Sequence, residues 1–154
     1  MNNILLENYI KSFLSQNQIN TLHVFDFDMT LYDHNKKGWI NHVVDDLKNS
    51  FKDHQTRVIL CTARTNDTQE INNTEKLLNQ INITLSDFDQ CYFKSAYRKE
   101  RTPVYKSHVI VDEICANNNI TIVKFWDDRE DTLRKTEIDL KSHNKNITYI
   151  PVKC

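Results

Sequence analysis

The stretch TLHVFDFDMT, residues 21–30, decides how the rest of the chain is interpreted. Its first five residues form a short apolar run that is typical of a buried strand. The run ends at Asp26 and Asp28, and in open parallel sheets ligands bind beyond the carboxyl ends of the strands. The stretch therefore predicts a strand whose carboxyl end carries acidic chemistry.

Outward from this stretch, short strand-like runs alternate with longer stretches of helical periodicity. This alternation predicts an α/β fold with three layers: a Rossmann-like, mostly parallel five-stranded sheet with helices on both faces. A length of 154 residues is typical of one domain, so we expect a single domain over 1–154, with a leading helix in 1–20 and the core in 21–154. The predicted strands cover 21–25, 57–61, 88–93, 120–126 and 147–152, and the predicted core helices cover 39–54, 68–81, 102–116 and 130–141.

The composition is that of an ordinary globular protein, with 39% hydrophobic and 27% charged residues and a formal net charge of −1. The near-neutral charge excludes a strongly basic nucleic-acid coat protein but leaves room for a local basic patch. One glycine and two prolines exclude glycine-rich phosphate-binding loops. No apolar run approaches the roughly 18 residues of a membrane span, and the four cysteines form no CxxC pair, so we expect a reduced, cytoplasmic protein without membrane contact.

Acidic residues follow two of the predicted strands at the point where each strand ends. Asp26 and Asp28 follow the first strand, and Asp127 and Asp128 follow the strand at 120–126. Adjacent parallel strands lie about 4.8 Å apart, so the carboxylates are expected to converge at one edge of the sheet. Clustered carboxylates repel one another, and a hard divalent cation such as Mg²⁺ is the simplest compensation.

The spacing of Asp26 and Asp28 suits a division of labour in phosphate chemistry. One carboxylate can attack phosphorus and form an aspartyl-phosphate, while its neighbour protonates the leaving oxygen and later deprotonates water. Thr62 follows the predicted strand at 57–61, where its hydroxyl can hold phosphate oxygens. A lysine at the same edge would offset the negative charge of phosphate and carboxylates.

Three segments resemble motifs of the haloacid dehalogenase (HAD) superfamily. FDFDMTL at 25–31 resembles motif I, DxDxT; VILCT at 58–62 resembles motif II, an apolar strand that ends in Thr or Ser; and FWDD at 125–128 resembles motif IV, an apolar strand that ends in paired acids. The resemblance extends from about residue 21 to residue 152 and implies a Mg²⁺-dependent HAD-type phosphatase.

A narrower resemblance is to the HAD domain of the Swiss-army-knife RNA repair proteins. It rests on TAR at 62–64, FK at 93–94, the helix start at 102–106 and WDDR at 126–129. The Asp-Asp-Arg of the last segment is also similar to that of polynucleotide 3′-phosphatases.

The superfamily resemblance implies roles for the acids. Asp26 would be the nucleophile and Asp28 the general acid and base. The Mg²⁺ ion would be held by Asp26, by the backbone carbonyl of Asp28 and by a motif IV acid. We favour Asp128 as that direct ligand, with Asp127 paired to the motif III lysine.

The motif III lysine is the least specific element of the resemblance. Lys106, just inside the predicted helix at 102–116, matches it best, and Lys94, Lys99 and Arg98 compete for the role.

Further residues beside the motifs are candidate substrate contacts. Thr30, Arg64 and Arg129 are expected to bind substrate, and the basic run at 98–101 is either a solvated loop or a contact to the substrate backbone. The sequence departs from the superfamily pattern at Met29 and Ala63, where glycine is common, which puts the loop geometry around the phosphate in question.

The space between the motifs bears on substrate size. Motif I and motif II are separated by too few residues for an independent cap domain, and a helix, a strand and a loop consume the segment from Thr62 to Lys106. An uncapped site is typical of family members with large substrates, so we expect a macromolecular phosphorylated end, with 3′-phosphorylated nucleic acid favoured. A small-molecule (nucleotidase-like) phosphatase, a protein phosphatase and a non-catalytic binding module remain alternatives, and the oligomeric state is open.

Overall fold

A computed structural model describes residues 3–154, with the side chains of residue 11 and residues 14–18 outside the description. The first two residues of the expected leading helix therefore lie outside the described residues. The helices are α1 Asn3–Gln18, α2 Asn41–Lys52, α3 Thr68–Asn79, α4 Thr102–Ala116 and α5 Glu130–His143. The strands are β1 Thr21–Phe25, β2 Tyr32–Asp33, β3 Gly38–Trp39, β4 Thr56–Thr65, β5 Gln90–Lys94, β6 Ile122–Asp127 and β7 Thr148–Lys153.

Five of the strands form one sheet in the order β5-β4-β1-β6-β7, and every pair in it is parallel. β1 is central, and its last residue, Phe25, lies beside Leu60 of β4 on one side and Trp126 of β6 on the other. The α/β architecture predicted from the sequence is therefore confirmed. The carboxyl ends of β1, β4 and β6 meet at one edge of the sheet, as the position of the motifs requires.

Each face of the sheet has its own apolar core because successive side chains of a strand point to opposite faces. Leu22 and Val24 of β1 belong to the core formed with α4 and α5, whereas Phe25 belongs to the core formed with α2 and α3. Layers of helix therefore cover both faces, and β1 is buried from both sides.

A two-stranded hairpin, which the sequence reading did not predict, follows β1. β2 and β3 pair antiparallel, and the Asp33 carboxylate accepts hydrogen bonds from the backbone N–H groups of Asn35 and Lys36 in the turn. Trp39 packs against the ring of Tyr32 in β2 and against the ring of Phe27 in the loop that follows β1. The predicted helix at 39–54 was therefore wrong at its start: its apolar Trp39 serves the hairpin, and α2 begins at Asn41.

The helices that flank the site have clear start signals. Asp67 caps α3, and its side chain accepts a hydrogen bond from the backbone N–H of Glu70. Pro103 lies in the first turn of α4, where a missing N–H costs nothing. These signals fix where α3 and α4 begin after β4 and β5.

The leading helix α1 differs from the others in its packing. Its described side chains, at 3–10 and 12–13, are all exposed, including Leu5, Tyr9 and Phe13. Within residues 3–154, no helix is both long enough and apolar enough to cross a membrane.

Candidate active site

The loop that follows β1 places Asp26 in a buried position at the edge of the sheet. Its backbone N–H donates to the carbonyl of Trp126 at 3.0 Å, which extends the β1–β6 pairing by one residue. The hydroxyl of Thr30 donates to Asp26 Oδ2 at 3.1 Å and orients the carboxylate. The turn between them contains Met29 at a φ of 61°, a left-handed conformation in which glycine is preferred. Met29 thus keeps the backbone conformation that favours glycine, so the departure noted in the sequence lies in the side chain, which makes this conformation strained.

Lys106 forms ion pairs with the acids at the carboxyl ends of β1 and β6. Its Nζ lies 2.7 Å from Asp26 Oδ1 and 2.7 Å from Asp127 Oδ2, and its side chain is 2% exposed. Lys106 reaches them from the second turn of α4, which packs against this edge. Lys94 instead donates to the backbone carbonyl of Glu100. Of the lysines that compete for the motif III role, Lys106 is thus the one that contacts Asp26 and Asp127.

Three carboxylates could share a cation at this point. Asp26, Asp127 and Asp128 each offer one oxygen within a mutual 4.8 Å. Lys106 supplies one positive charge among three negative ones, so a divalent cation would neutralise the remainder. Carboxylate oxygens are the ligands that Mg²⁺ prefers, and this donor set therefore fits Mg²⁺. The Asp28 carboxylate is not part of this group.

The electrostatics of the cluster follow from burial. Removal from water raises the pKa of Asp26, an effect that Lys106 opposes and Asp127 reinforces. Burial likewise raises the pKa of Asp127. Burial alone would lower the pKa of Lys106, but the two flanking carboxylates outweigh it and raise the pKa, so the ammonium stays charged. One cation between two buried carboxylates leaves negative charge uncompensated, and a bound cation would favour the ionised form of both.

Asp28 turns away from this cluster and is clamped by Arg64. Arg64 Nη2 lies 2.8 Å from Asp28 Oδ1 and Nε lies 3.0 Å from Oδ2, while Nη1 donates to the hydroxyl of Thr74 at 3.0 Å. The guanidinium also lies over the ring of Phe27, 4.5 Å from its centroid. Arg64, expected as a substrate contact, is therefore engaged with a catalytic candidate in this arrangement.

His34 is a further residue at the site that the sequence reading missed. Its Nε2 forms a short hydrogen bond with Asp28 Oδ1, and its side chain is 46% exposed. Burial alone would raise the pKa of Asp28, but the hydrogen bonds from Arg64 and His34 outweigh it and lower that pKa. His34 belongs to no motif, and only the fold of the unpredicted hairpin brings it beside Asp28.

The remaining candidates lie around the same edge. Thr62 is buried near the end of β4, next to β1, and its hydroxyl accepts a hydrogen bond from the backbone N–H of Arg64 at 3.1 Å. The backbone N–H of Arg129 donates to Asp127 Oδ1 at 2.8 Å, whereas its guanidinium pairs with Asp131 at 2.9 Å. Arg129 thus contacts the acidic cluster through its backbone.

Comparisons with known proteins identify the family to which the chain is similar and a solved structure with a similar fold. The model of HAD domain family 1 in Swiss Army Knife RNA repair proteins matches residues 7–153. No curated protein sequence matches the chain. A solved chain in the structure of the Pnkp1/Rnl/Hen1 RNA repair complex is similar, with a TM-score of 0.59 and 16% sequence identity over 88% of this chain. The match covers 43% of that solved chain, and at this identity it supports the fold.

Proposed function

Because the chain belongs to HAD domain family 1 of the Swiss Army Knife RNA repair proteins, we propose that it is a phosphomonoesterase that acts on the phosphorylated end of a nucleic acid, with a 3′-phosphate as the favoured group. The observation that carries the proposal is the buried Lys106 held between Asp26 and Asp127, with Asp128 beside them. The similar chain of the RNA repair complex supports the choice of nucleic acid over other substrates.

Asp26 is the nucleophile in this proposal. A carboxylate oxygen of Asp26 attacks phosphorus, the bond from phosphorus to the leaving oxygen breaks, and an aspartyl-phosphate forms. Thr30 fixes the carboxylate through its hydrogen bond, and Lys106 screens the negative charge that phosphate brings to two buried acids. The Thr62 hydroxyl, near the carboxyl end of β4, would hold a phosphate oxygen.

Asp28 is the general acid and base. It gives a proton to the leaving oxygen in the first step; in the second it takes a proton from the water that attacks phosphorus and frees Asp26. Asp28 must be protonated for the first step, and the half-exposed His34, which contacts it, would supply that proton. A substrate phosphate that draws Arg64 away from Asp28 would raise the pKa of Asp28 and favour its protonation.

Asp26, Asp128 and the backbone carbonyl of Asp28 would hold the Mg²⁺ ion, with Asp127 paired to Lys106. The ion supplies Lewis-acid polarisation of the phosphoryl oxygens and charge neutralisation. The open carboxyl edge of the sheet fits a macromolecular end, because the strands of the described residues form only the five-stranded sheet and the small 32–39 hairpin, with no separate cap domain over the site.

We also propose that residues 1–154 act as one domain, with 1–20 as its leading helix. The two cores that flank the sheet support this, since together they draw residues from β1 through β7. All four cysteines are free thiols, which supports a reducing compartment such as the cytoplasm.

Asp26→Asn tests the proposal. We expect the variant to lose at least about 1000-fold in hydrolysis of both p-nitrophenyl phosphate and a 3′-phosphorylated oligonucleotide, because the amide cannot attack phosphorus. Asp45→Asn, at an exposed position of α2, is the matched control and keeps wild-type rates.

The substrate choice is tested on the wild-type protein with Mg²⁺ present. Turnover of 3′-phosphorylated oligonucleotide is expected to exceed that of 5′-phosphorylated oligonucleotide, free nucleotides and a phosphopeptide. A preference for free nucleotides would contradict the nucleic-acid end, and full activity of Asp26→Asn would contradict the mechanism.

A further inference from the structure

The loop at 95–101 lies at the same edge of the sheet as the acidic cluster. It follows the carboxyl end of β5 and leads directly into α4, the helix that carries Lys106. At a rise of about 1.5 Å per residue, Lys106 lies only about 6 Å along the axis from the start of α4 at Thr102. Any group bound by this loop is therefore near the proposed site of phosphate cleavage.

Internal contacts hold the loop in one shape. The backbone N–H of Arg98 donates to the carbonyl of Ser95 at 3.0 Å and closes a turn. The Arg98 guanidinium pairs with Glu100 at 2.5 Å and lies over the ring of Tyr105, 5.1 Å from its centroid. Lys94 donates to the backbone carbonyl of Glu100 from the other side. Arg98 and Glu100 neutralise each other, so neither presents a net charge to a ligand.

The side chains of Tyr97 and Lys99 take no part in these contacts. Tyr97 is 93% exposed, more than any other large apolar or aromatic residue identified as exposed in residues 3–154. Within the same residues no ring stacks on it, and no carboxylate lies within ion-pair distance of the exposed Lys99. An aromatic ring and an uncompensated ammonium thus stand two residues apart, beside the site.

This pair of groups matches the chemistry of a single-stranded nucleic acid. Bases stack on exposed aromatic rings with little dependence on sequence, and backbone phosphates bind nearby cations. A phosphopeptide offers the anion but no planar base at a regular spacing. The net charge of −1 also fits a ligand held by a few contacts at its end better than one held along its length.

We propose that the 95–101 loop binds the nucleotides next to the phosphorylated end, with the Tyr97 ring stacked on a base and the Lys99 ammonium on a backbone phosphate. The inference rests on the proposed function, because the loop would bind the part of the same substrate that lies next to the reacting phosphate.

Steady-state kinetics provide the first test. Tyr97→Ala is expected to lower kcat/KM for a 3′-phosphorylated oligonucleotide about 10-fold relative to kcat/KM for p-nitrophenyl phosphate, mainly through KM, because the small phosphate has no base to stack. Tyr97→Phe keeps the ring and is expected to retain the wild-type ratio. Tyr9→Ala removes an exposed tyrosine of α1 and serves as the matched control. An unchanged ratio in Tyr97→Ala would overturn the inference.

Binding provides a second test that does not depend on turnover. Fluorescence anisotropy with labelled single-stranded RNA is measured on Asp26→Asn, alone and combined with Lys99→Ala. Loss of one phosphate contact is expected to reduce the slope of log affinity against log salt by about 0.7. Lys145→Ala, an exposed lysine in the turn before β7, is the control and leaves the slope unchanged.

The two tests separate this inference from the proposed function. Failure of the wild-type protein to hydrolyse any phosphate, with RNA binding still dependent on Tyr97 and Lys99, would contradict the proposed function and support the loop as an RNA-binding surface. Hydrolysis of oligonucleotide ends without dependence on either residue would support the proposed function and overturn the loop. Tighter binding of a phosphopeptide than of RNA would also overturn it.

Discussion

Lys106 shows how one residue can make an otherwise unfavourable cluster stable. The carboxylates of Asp26 and Asp127, whose side chains are 6% and 0% exposed, would repel each other and lose their hydration. Both, however, lie 2.7 Å from the ammonium of Lys106. Such buried ion pairs do little for net stability, whereas removal of one member costs about 3–5 kcal/mol because a buried charge is left unpaired. The pairing therefore keeps two acids buried side by side without adding much to the free energy of unfolding.

His23 is a second residue whose ionisation is set by its surroundings. It lies in β1 on the α2 face, and the hydroxyl of Ser50 donates to the carbonyl of Asp46, so His23 Nδ1 donates to Ser50 Oγ at 2.7 Å. Burial, with a smaller contribution from the charge of Lys124, lowers the pKa of His23 from 6.5 to about 4. The folded protein therefore holds this ring neutral at pH values where the unfolded chain protonates it.

His23 makes a pH-dependent contribution to stability. Because the folded pKa lies below the unfolded one, the free energy of unfolding falls as the pH decreases from about 6.5 toward 4. At pH 5 the loss due to His23 is expected to be about 1–2 kcal/mol, allowing for solvent screening of the half-buried ring. Urea denaturation at pH 7 and pH 5 measures it. His23→Gln should lose this share of the pH dependence, whereas His54→Gln, at an exposed position, should not; equal pH dependence in both variants would contradict the assignment.

At the scale of elements, the acids lie at the carboxyl ends of strands, and a helix supplies the complementary charge. Asp26 directly follows β1, Asp127 is the last residue of β6, and α4 supplies Lys106 to both. The 32–39 hairpin adds His34 beside Asp28. In contrast, α1 places its described side chains in solvent, although the residues that follow it are anchored: the carbonyl of Asn20 accepts from the backbone N–H of Thr121 at 2.9 Å.

Deletion of residues 1–18 tests the role of α1 in the fold. We expect the free energy of unfolding to change by less than about 1 kcal/mol, because the described side chains of α1, at 3–10 and 12–13, are exposed and bury little apolar surface on folding. Hydrolysis of p-nitrophenyl phosphate is expected to be retained. Urea denaturation of the truncated chain measures the change, and a loss above about 3 kcal/mol would show that α1 supports the core in solution.

At the scale of the whole molecule, the site exists because distant segments converge. Asp26, Lys106 and Asp127 span about two thirds of the chain, and they meet only when β1 and β6 pair and α4 packs on the sheet. The carboxylates of Asp26, Asp127 and Asp128 form one negatively charged cluster only in the folded protein. A divalent cation bound there would therefore stabilise the folded state and not the unfolded chain.

Mg²⁺ is therefore expected to raise the melting temperature of the wild-type protein. At a concentration about 100-fold above Kd the gain is about 2.7 kcal/mol, which corresponds to a shift of several degrees for a chain of this size. Asp128→Asn should lose most of the shift, and Asp131→Asn, an exposed acid paired with Arg129, should keep it. Differential scanning fluorimetry with MgCl₂ or EDTA measures the shift. An equal shift in Asp128→Asn and wild type would place the ion elsewhere.

The sequence by itself determined the parallel α/β fold, the bounds of β1 and α4, and the positions of the acids, because strand periodicity, helix start signals and polar residues at strand ends are local patterns. The tertiary structure decided which lysine reaches the acids, that Arg64 and His34 clamp Asp28, and that Trp39 belongs to a hairpin and not to α2. These features depend on contacts between residues far apart in the chain or on a short turn with weak periodicity. Side-chain partners across such distances follow from packing, which no local pattern encodes.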